Sequence, residues 1–152
     1  MNTLETDTAS NQPIAKLPLA AALVALVGLI DAIYLTVSHF NKVIVPCSMV
    51  TGCETVLTSE YAEIAGIPLA LFGAFAYFTV FSLAVLAAYG SGGAWRILSV
   101  CVVLMAVFTI WLLYLQAYVI GAFCQFCLLS AATTFTLLVI VLIKRFLPKP
   151  LN

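Results

Sequence analysis

The chain has 152 residues, of which 64% are hydrophobic and 8% are charged, and its formal net charge is zero. Soluble domains are about half apolar and roughly a quarter charged, so this composition predicts a protein that lies in a lipid bilayer. The sequence has no basic stretch that could follow a phosphate backbone, which excludes nucleic-acid binding.

The chain begins with a polar segment, residues 1–16, which is expected to be a tail outside the membrane. This segment is unlike a secretory signal, because its start is acidic and the apolar run that follows is too long. That run, residues 17–40, is the first predicted span, since a helix needs ~20 apolar residues to cross the hydrocarbon core of a bilayer.

A carboxylate, Asp31, lies inside the first span. Ionisable groups in membranes are costly and usually face the bundle interior or a water-filled cavity. Two interpretations of Asp31 stay open. Either it helps to move protons or accepts a hydrogen bond near a ligand, or a neighbouring hydroxyl such as Tyr34 or Thr36 satisfies it. His39, at the edge of the span, is interpreted as an interfacial residue.

The only substantial polar loop in the sequence, residues 41–66, carries Cys47 and Cys53. A proline and a glycine in this loop break regular structure, so the two cysteines are expected on a mobile segment. Residues 54–65 have apolar side chains at helical spacing. They predict a short interfacial helix that lies over the bundle as a cap.

Three further apolar runs follow the loop. They predict spans at residues 67–89, 95–119 and 124–146, with a glycine-rich turn at 90–93 and a short tail at 147–152. The predicted fold class is therefore an all-α, polytopic membrane protein, a bundle of four transmembrane helices around a laterally accessible pocket.

The basic residues distribute unevenly between the two sides of the membrane. Four spans place both termini on one side, and five of the six basic residues fall on that side, whereas Lys42 falls on the other. The five are Lys16, Arg96, Lys144, Arg145 and Lys149. By the positive-inside rule the termini are cytoplasmic. The loop 41–66 then lies outside the cytoplasm, across a plasma or inner membrane, where disulfides form and persist.

Cys124 and Cys127 form a Cys-x-x-Cys pair at the start of the fourth span. A helix N-terminus lowers the pKa of a thiol, and the thiolate is the species that reacts with disulfides. The mobile pair, Cys47 and Cys53, emerges on the same side, which suggests an electron relay. An external dithiol would reduce the loop pair, the loop pair would reduce the fixed pair, and the fixed pair would reduce a quinone, which takes two electrons and two protons.

Other uses of the cysteines compete with this relay. A zinc site is disfavoured, because one pair is spaced six residues apart and the other emerges from the membrane. A c-type haem needs a histidine after Cys127, where Leu128 stands. Static disulfides that staple a non-enzymatic membrane scaffold stay open as an alternative. The fifth cysteine, Cys101, is interpreted as a small packing residue.

Four motifs follow each other in a specific order along the chain. They are Cys47-x5-Cys53, residues 56–61 (Val-Leu-Thr-Ser-Glu-Tyr), residues 66–73 (Gly-Ile-Pro-Leu-Ala-Leu-Phe-Gly) and Cys124-x-x-Cys127. In this combination, the sequence resembles the vitamin K epoxide reductase family, and specifically its bacterial members. The resemblance covers most of the chain, from the first span to the end.

This resemblance implies a four-helix transmembrane bundle that surrounds a quinone. It also implies that the protein oxidises a thioredoxin-like (DsbA-like) partner outside the cytoplasm and passes the electrons to ubiquinone or menaquinone. By position in the family motifs, Cys47 would exchange with the partner. Cys53 would exchange with Cys124, and Cys127 would face the quinone.

The resemblance also implies which other residues contact the quinone. Ser59 matches a family serine near the head group, where its hydroxyl would hydrogen-bond a carbonyl oxygen. Leu57, in the same motif as Ser59, and Phe72, in the motif at residues 66–73, would contact the quinone together with Cys127.

Two features differ from other family members. Many bacterial members carry a fused thioredoxin-like domain after a fifth span, and this chain stops at Asn152, so the partner is expected to be a separate protein. Vertebrate members have an asparagine and a tyrosine where this chain has Leu69 and Ala131. The predicted function is therefore disulfide generation with plain quinone reduction, and reduction of vitamin K quinone or its epoxide is the alternative.

Overall fold

The computed structural model of the protein describes residues 13–43, 45–47 and 52–146. The predicted C-terminal tail and most of the predicted N-terminal tail lie outside these residues. In chain order, the described elements are α1 (Pro13–Phe40), α2 (Cys53–Leu57), a 3-10 turn (Glu60–Ala62), β1 (Glu63–Ile64), β2 (Ile67–Pro68), α3 (Leu69–Ala88), α4 (Gly92–Tyr114), a π-helical turn (Leu115–Ile120) and α5 (Gln125–Phe146).

Four of the described helices are long and apolar enough to cross a membrane: α1, α3, α4 with its π-helical turn, and α5. Helix α1 packs against α3 and α5, and α4 packs against the same two helices, so the four close into a bundle. Large apolar side chains such as Leu23, Phe75 and Val107 are exposed on the outside of the bundle, as lipid contact requires. The predicted fold class, an all-α polytopic membrane protein, is confirmed.

Small side chains on α1 let the helices approach each other closely. Ala21, Ala25, Gly28 and Ala32 recur at helical spacing on one buried face. A Cβ atom on Gly28 would overlap the ring of Tyr77 on α3, so only glycine fits there. Packing through small residues is common between membrane helices, because lipid supplies no hydrophobic driving force between them.

The ends of α3 and α4 differ from the predicted bounds for local reasons. Helix α3 begins at Leu69 rather than residue 67, because Pro68 is extended (φ −62°, ψ 134°) and pairs in β2. Helix α4 begins at Gly92 rather than residue 95. The side chain of Ser91 caps it by accepting a hydrogen bond from the Ala94 N–H at 3.4 Å.

The predicted continuous helix over residues 54–65 is wrong. The helix ends early, because the hydroxyls of Thr58 and Ser59 donate hydrogen bonds to the carbonyl oxygens of Glu54 and Val56, at 2.7 Å each. Such bonds from side chain to backbone compete with continuation of a helix. Ser59 is accordingly extended (φ −70°, ψ 156°), and the chain restarts as the 3-10 turn.

A two-stranded hairpin completes the connection to α3. Strands β1 and β2 pair antiparallel, with Ile64 opposite Ile67. The turn between them has positive φ at both central residues, 55° at Ala65 and 80° at Gly66, as two-residue hairpins favour. We call residues 52–68 the cap segment, because they contact α3 and the π-helical turn at one end of the bundle.

Candidate functional site

Both cysteine pairs lie together at the end of the bundle that carries the cap segment. A disulfide joins Cys47 to Cys53, whose Cα atoms are 6.1 Å apart. Cys53 begins α2 and packs against Cys124, which is fully buried (0% exposed) immediately before α5. Cys124 and Cys127 are free thiols. The oxidised loop pair therefore rests directly on the reduced fixed pair.

A close backbone contact holds the cap segment against the connection before α5. A Cβ atom on Gly52 would lie 2.9 Å from the carbonyl oxygen of Phe123 and 3.1 Å from the Cβ atom of Ala122. A side chain at position 52 would push these two segments apart. The glycine therefore allows Cys53, the next residue, to reach Cys124.

A buried side chain from the third span fixes the backbone of Cys124. Oε1 of Gln116, a residue 4% exposed, accepts a hydrogen bond from the Cys124 N–H at 3.2 Å. The backbone carbonyl of Gln116 accepts a second bond, from the Ala122 N–H at 3.2 Å. Gln116 lies in the π-helical turn, and such turns frequently mark functional sites.

The sulfur of Cys124 lies just before the fourth span, in surroundings that favour its thiolate. The thiol of Cys127 donates a hydrogen bond to this sulfur and lowers the pKa of Cys124 to about 7, although burial opposes the shift. The backbone N–H groups of Cys127 and Phe126, in the first turn of α5, act in the same direction as the thiol. The Cys124 thiolate is therefore well populated near neutral pH.

A cavity of about 470 Å³ lies between the four long helices and the cap segment. Small-molecule sites in proteins typically measure ~300–1,000 Å³ and have mostly apolar walls with a few polar groups. Here the wall includes Leu35 on α1, Leu69 on α3, Phe108 on α4 and Ala131 on α5. A wall of this kind fits a flat apolar ring with polar oxygens, such as a quinone head group.

The cavity wall contains all four residues that the resemblance assigns to the quinone: Cys127, Ser59, Leu57 and Phe72. Cys127 lies in the first turn of α5, and the other three come from the cap segment and α3. The hydroxyl of Ser59 already donates to the Val56 carbonyl oxygen. Since a serine has one O–H, Ser59 must turn this hydroxyl before it can donate to a ligand.

A cluster of hydroxyl groups, which the sequence analysis does not predict, lies in the same wall. The Tyr77 hydroxyl on α3 donates to the Ser130 carbonyl oxygen on α5 at 2.8 Å. The Oγ1 atoms of Thr133 and Thr134 lie 2.8 Å from the same hydroxyl, and the Ser130 Oγ lies 3.0 Å from it. Tyr77, Ser130 and Thr134 all line the cavity. Ser130 and Thr134 lie on α5, about one and two helical turns after Cys127.

Asp31 also lines the cavity and is 6% exposed. The Thr36 hydroxyl donates to the Ala32 carbonyl oxygen at 2.7 Å, and Tyr34 packs its ring against Phe126. Within the described part of the chain, no group hydrogen-bonds to Asp31 Oδ2. Neither Tyr34 nor Thr36 therefore satisfies this oxygen of the carboxylate.

His39 connects the end of α1 to the cap segment. Its Nε2 lies 3.1 Å from Oε1 of Glu63. His39 lines the cavity and its side chain is 29% exposed, which places it at the rim, whereas the Glu63 side chain is 47% exposed. His39 thus has an acidic partner in addition to the interfacial position that the sequence predicts.

Tyr77 and Gln116 are the residues at this site that sequence reasoning misses. Each is a polar residue inside an apolar run, which is itself a signal of function in a membrane protein. Their partners lie on other segments, and the sequence offers no local pattern that would identify those partners.

Four membrane-length helices, with two contacting cysteine pairs above an apolar cavity, define a polytopic membrane protein that carries thiol redox chemistry. The sequence model of the vitamin K epoxide reductase family matches residues 19–142, which is most of the chain. The chain belongs to this family, and the predicted resemblance is confirmed. It is accordingly a membrane oxidoreductase of a family that acts on thiols and quinones.

Proposed function

We propose that this protein generates disulfides by oxidising a thioredoxin-like partner outside the cytoplasm and reducing a membrane quinone, ubiquinone or menaquinone. The observation that carries the proposal is the contact between Cys53 and Cys124, one from each cysteine pair, above a cavity that Cys127 lines. A scaffold stapled by static disulfides would need no reduced pair between an oxidised pair and a ligand-sized cavity.

Three reactions move one electron pair from the partner to the quinone. The partner dithiol reduces the Cys47–Cys53 disulfide and becomes a disulfide itself. The Cys47/Cys53 dithiol then reduces a Cys124–Cys127 disulfide through a mixed Cys53–Cys124 disulfide. The Cys124/Cys127 dithiol finally gives two electrons to the quinone and closes to a disulfide, and its two protons end on the two quinone oxygens.

Exposure and acidity support the order of the cysteines in this relay. Cys47 is partly exposed, whereas Cys53 is 2% exposed, so Cys47 is the loop cysteine that a protein partner can reach. Cys124 contacts Cys53, and the hydrogen bond from Cys127 gives it a pKa of about 7, which suits the thiol that leaves when the mixed Cys53–Cys124 disulfide is resolved. Cys127 remains as the cysteine on the cavity side.

The cavity wall supports the assignment of quinone contacts. Leu57 and Phe72 supply apolar surface for the ring, and Ser59 supplies a hydroxyl near one carbonyl oxygen once it turns from the Val56 carbonyl. The hydroxyl cluster around Tyr77 is a second polar group that the same ligand could reach.

The distribution of basic residues supports an orientation with both termini in the cytoplasm of a multi-pass plasma or inner-membrane protein. Cys47 is then extracytoplasmic. Reduced protein in intact cells should react with a thiol reagent that does not cross membranes, and a Cys47→Ser variant should lose part of this labelling. Labelling of Cys47 only after the cells are permeabilised would contradict the orientation and, with it, the proposed partner.

The test of the function is a coupled assay with purified full-length protein, a reduced thioredoxin-like protein and a soluble quinone. We expect quinone absorbance to fall in step with partner oxidation. Cys127→Ala should abolish quinone reduction, and Cys47→Ser should abolish electron uptake from the partner. Cys101→Ala is the matched control, because Cys101 is a free thiol that packs against the main core away from both pairs.

Two results would overturn the proposal. The first is absence of turnover in the wild-type protein, which would favour the stapled scaffold. The second is full turnover in Cys127→Ala, which would exclude the relay through the fixed pair. Replacing the quinone by its epoxide in the same assay tests the alternative activity, and faster turnover with the epoxide would favour it.

A further inference from the structure

The transfer of electrons from a dithiol to a quinone also moves two protons, and the four cysteines do not explain their route. The cavity wall contains several titratable side chains: Asp31 and His39 on α1, Tyr61 in the cap segment, Tyr77 on α3 and Cys127 on α5. In the described cavity wall, α4 contributes only groups that do not titrate.

Three of these side chains are poorly placed to accept a proton from Cys127. The Tyr77 hydroxyl is surrounded by hydroxyl and carbonyl oxygens of α5. His39 lies at the rim, 3.1 Å from the Glu63 carboxylate. Tyr61 is 46% exposed and lies in the cap segment rather than among the long helices.

Asp31 differs from them in burial and in its free acceptor atom. It is 94% buried and lines the cavity, and within the described residues its Oδ2 atom receives no hydrogen bond. Cys127 lines the same cavity as Asp31. A buried carboxylate oxygen without a partner is costly, so a position that retains it suggests a use for it.

We propose that Asp31 carries a proton from the Cys127 thiol to the quinone, an inference that rests on the proposed function. The Asp31 carboxylate takes the proton of Cys127 as its sulfur gives up electrons. The protonated Asp31 then passes that proton to one oxygen of the reduced quinone and is again a carboxylate. The other oxygen takes the second proton from the Cys124 thiol, or from solvent when Cys124 is already a thiolate. Each disulfide formed thus delivers two electrons and two protons to the quinone.

The test compares Asp31→Asn, which keeps the shape of the side chain but cannot take up a proton, with the wild type in the coupled assay. We expect kcat for quinone reduction to fall at least 10-fold, since proton transfer by a positioned side chain contributes ~10²–10⁴-fold. KM for the quinone should stay within about 2-fold, because the polar wall is otherwise intact. Thr36→Val is the matched control, since Thr36 is a buried polar residue of α1 that does not line the cavity.

Two further measurements separate proton transfer from structure. Oxidised Asp31→Asn should still oxidise one equivalent of the partner in a single turnover, because the disulfide exchanges need no quinone. Asp31→Ser leaves room for a small acid, so formate at high concentration should restore part of its quinone reduction. Formate should leave the rate of quinone reduction by Thr36→Val unchanged.

Each failure has a distinct meaning. If the wild type itself does not reduce quinone, the proposed function fails. If the wild type turns over and Asp31→Asn does so within 2-fold of it, the proton route through Asp31 is wrong. If both Asp31 variants are slow, formate rescues neither and the single turnover with the partner is lost as well, Asp31 is a structural residue and the inference is overturned.

Discussion

The hydroxyl of Tyr77 on α3 lies 2.8 Å from Oγ1 of Thr134 on α5, and both residues are 1% exposed. The same hydroxyl donates to the Ser130 carbonyl oxygen, so one side chain joins the second and fourth spans beside the cavity. Polar groups inside a membrane bundle need partners, because neither lipid nor bulk water supplies them. Tyr77 therefore has a structural role that is separable from thiol chemistry.

Removal of this hydroxyl should weaken the bundle more than it changes the relay. We expect Tyr77→Phe to lower the free energy of unfolding by about 1 kcal/mol, the usual size of a net hydrogen-bond contribution. Thermal unfolding in detergent should then occur about 2–4 °C lower. Tyr89→Phe is the control, because Tyr89 is 87% exposed at the end of α3. Equal melting temperatures for the two variants would contradict a stabilising cluster.

The contact between Gly28 and the ring of Tyr77 predicts a larger effect. A Cβ atom at residue 28 would overlap three atoms of the ring, so Gly28→Ala forces α1 and α3 apart or displaces the ring. Overpacking of a tight core costs about 1–3 kcal/mol, and the lost hydroxyl contacts add to this. Gly93→Ala, in α4 with no atom of the described residues within 4 Å of its Cβ position, should be neutral or slightly stabilising. Unfolding curves that coincide for the two variants would contradict the close approach.

The four spans can be predicted from the sequence, because each depends only on the apolar residues of its own run. The hydroxyl cluster cannot be predicted in this way. Tyr77 and its partners on α5 are separated by 53 to 57 residues, and which of them meet depends on how the helices pack. The prediction of a helix over residues 54–65 fails for a local reason. The apolar spacing favours a helix, but the hydroxyls of Thr58 and Ser59 end it.

The candidate site likewise has features that the sequence predicts and features that it does not. Counting spans is enough to place Cys47, Cys53, Cys124 and Cys127 on one side of the membrane, but not to show that Cys53 rests on Cys124. That contact depends on Gly52, which looks in the sequence like an ordinary loop glycine.

The close approach at Gly52 predicts a kinetic effect with little change in stability. Gly52→Ala places a methyl group 2.9 Å from the Phe123 carbonyl oxygen and should move the cap segment away from α5. Since a misplacement of ~1 Å can slow a reaction ~100-fold, we expect exchange between the cysteine pairs to slow about 10-fold. Quenched-flow trapping of the mixed Cys53–Cys124 disulfide measures this step. Gly92→Ala, at an open position of α4, is the control, and equal exchange rates in the two variants would exclude a role for this contact.

Gln116 should act on the same step through the backbone of Cys124. Gln116→Leu keeps a similar volume but leaves the buried Cys124 N–H without its acceptor, at a cost of about 1–3 kcal/mol. We expect lower thermal stability together with slower formation of the mixed disulfide. Thr79→Val is the control, because the Thr79 hydroxyl is exposed and donates to the Phe75 carbonyl of its own helix. Exchange at the wild-type rate in Gln116→Leu would show that Cys124 keeps its position without this bond.

The hydrogen bond from Cys127 predicts a pH dependence for attack by Cys124 on the Cys47–Cys53 disulfide. Cys127→Ser can still donate this bond, so mixed-disulfide formation should rise as pH increases through about 7, where the Cys124 thiol loses its proton, and then level off. Cys127→Ala cannot donate it. The pKa of Cys124 should then return toward its ordinary value, and the rate should keep rising to higher pH, being slower than in Cys127→Ser at pH 7. Rates measured by acid quench across pH 5–9 test this, and coincident profiles for the two variants would show that the Cys127 side chain does not control the acidity of Cys124.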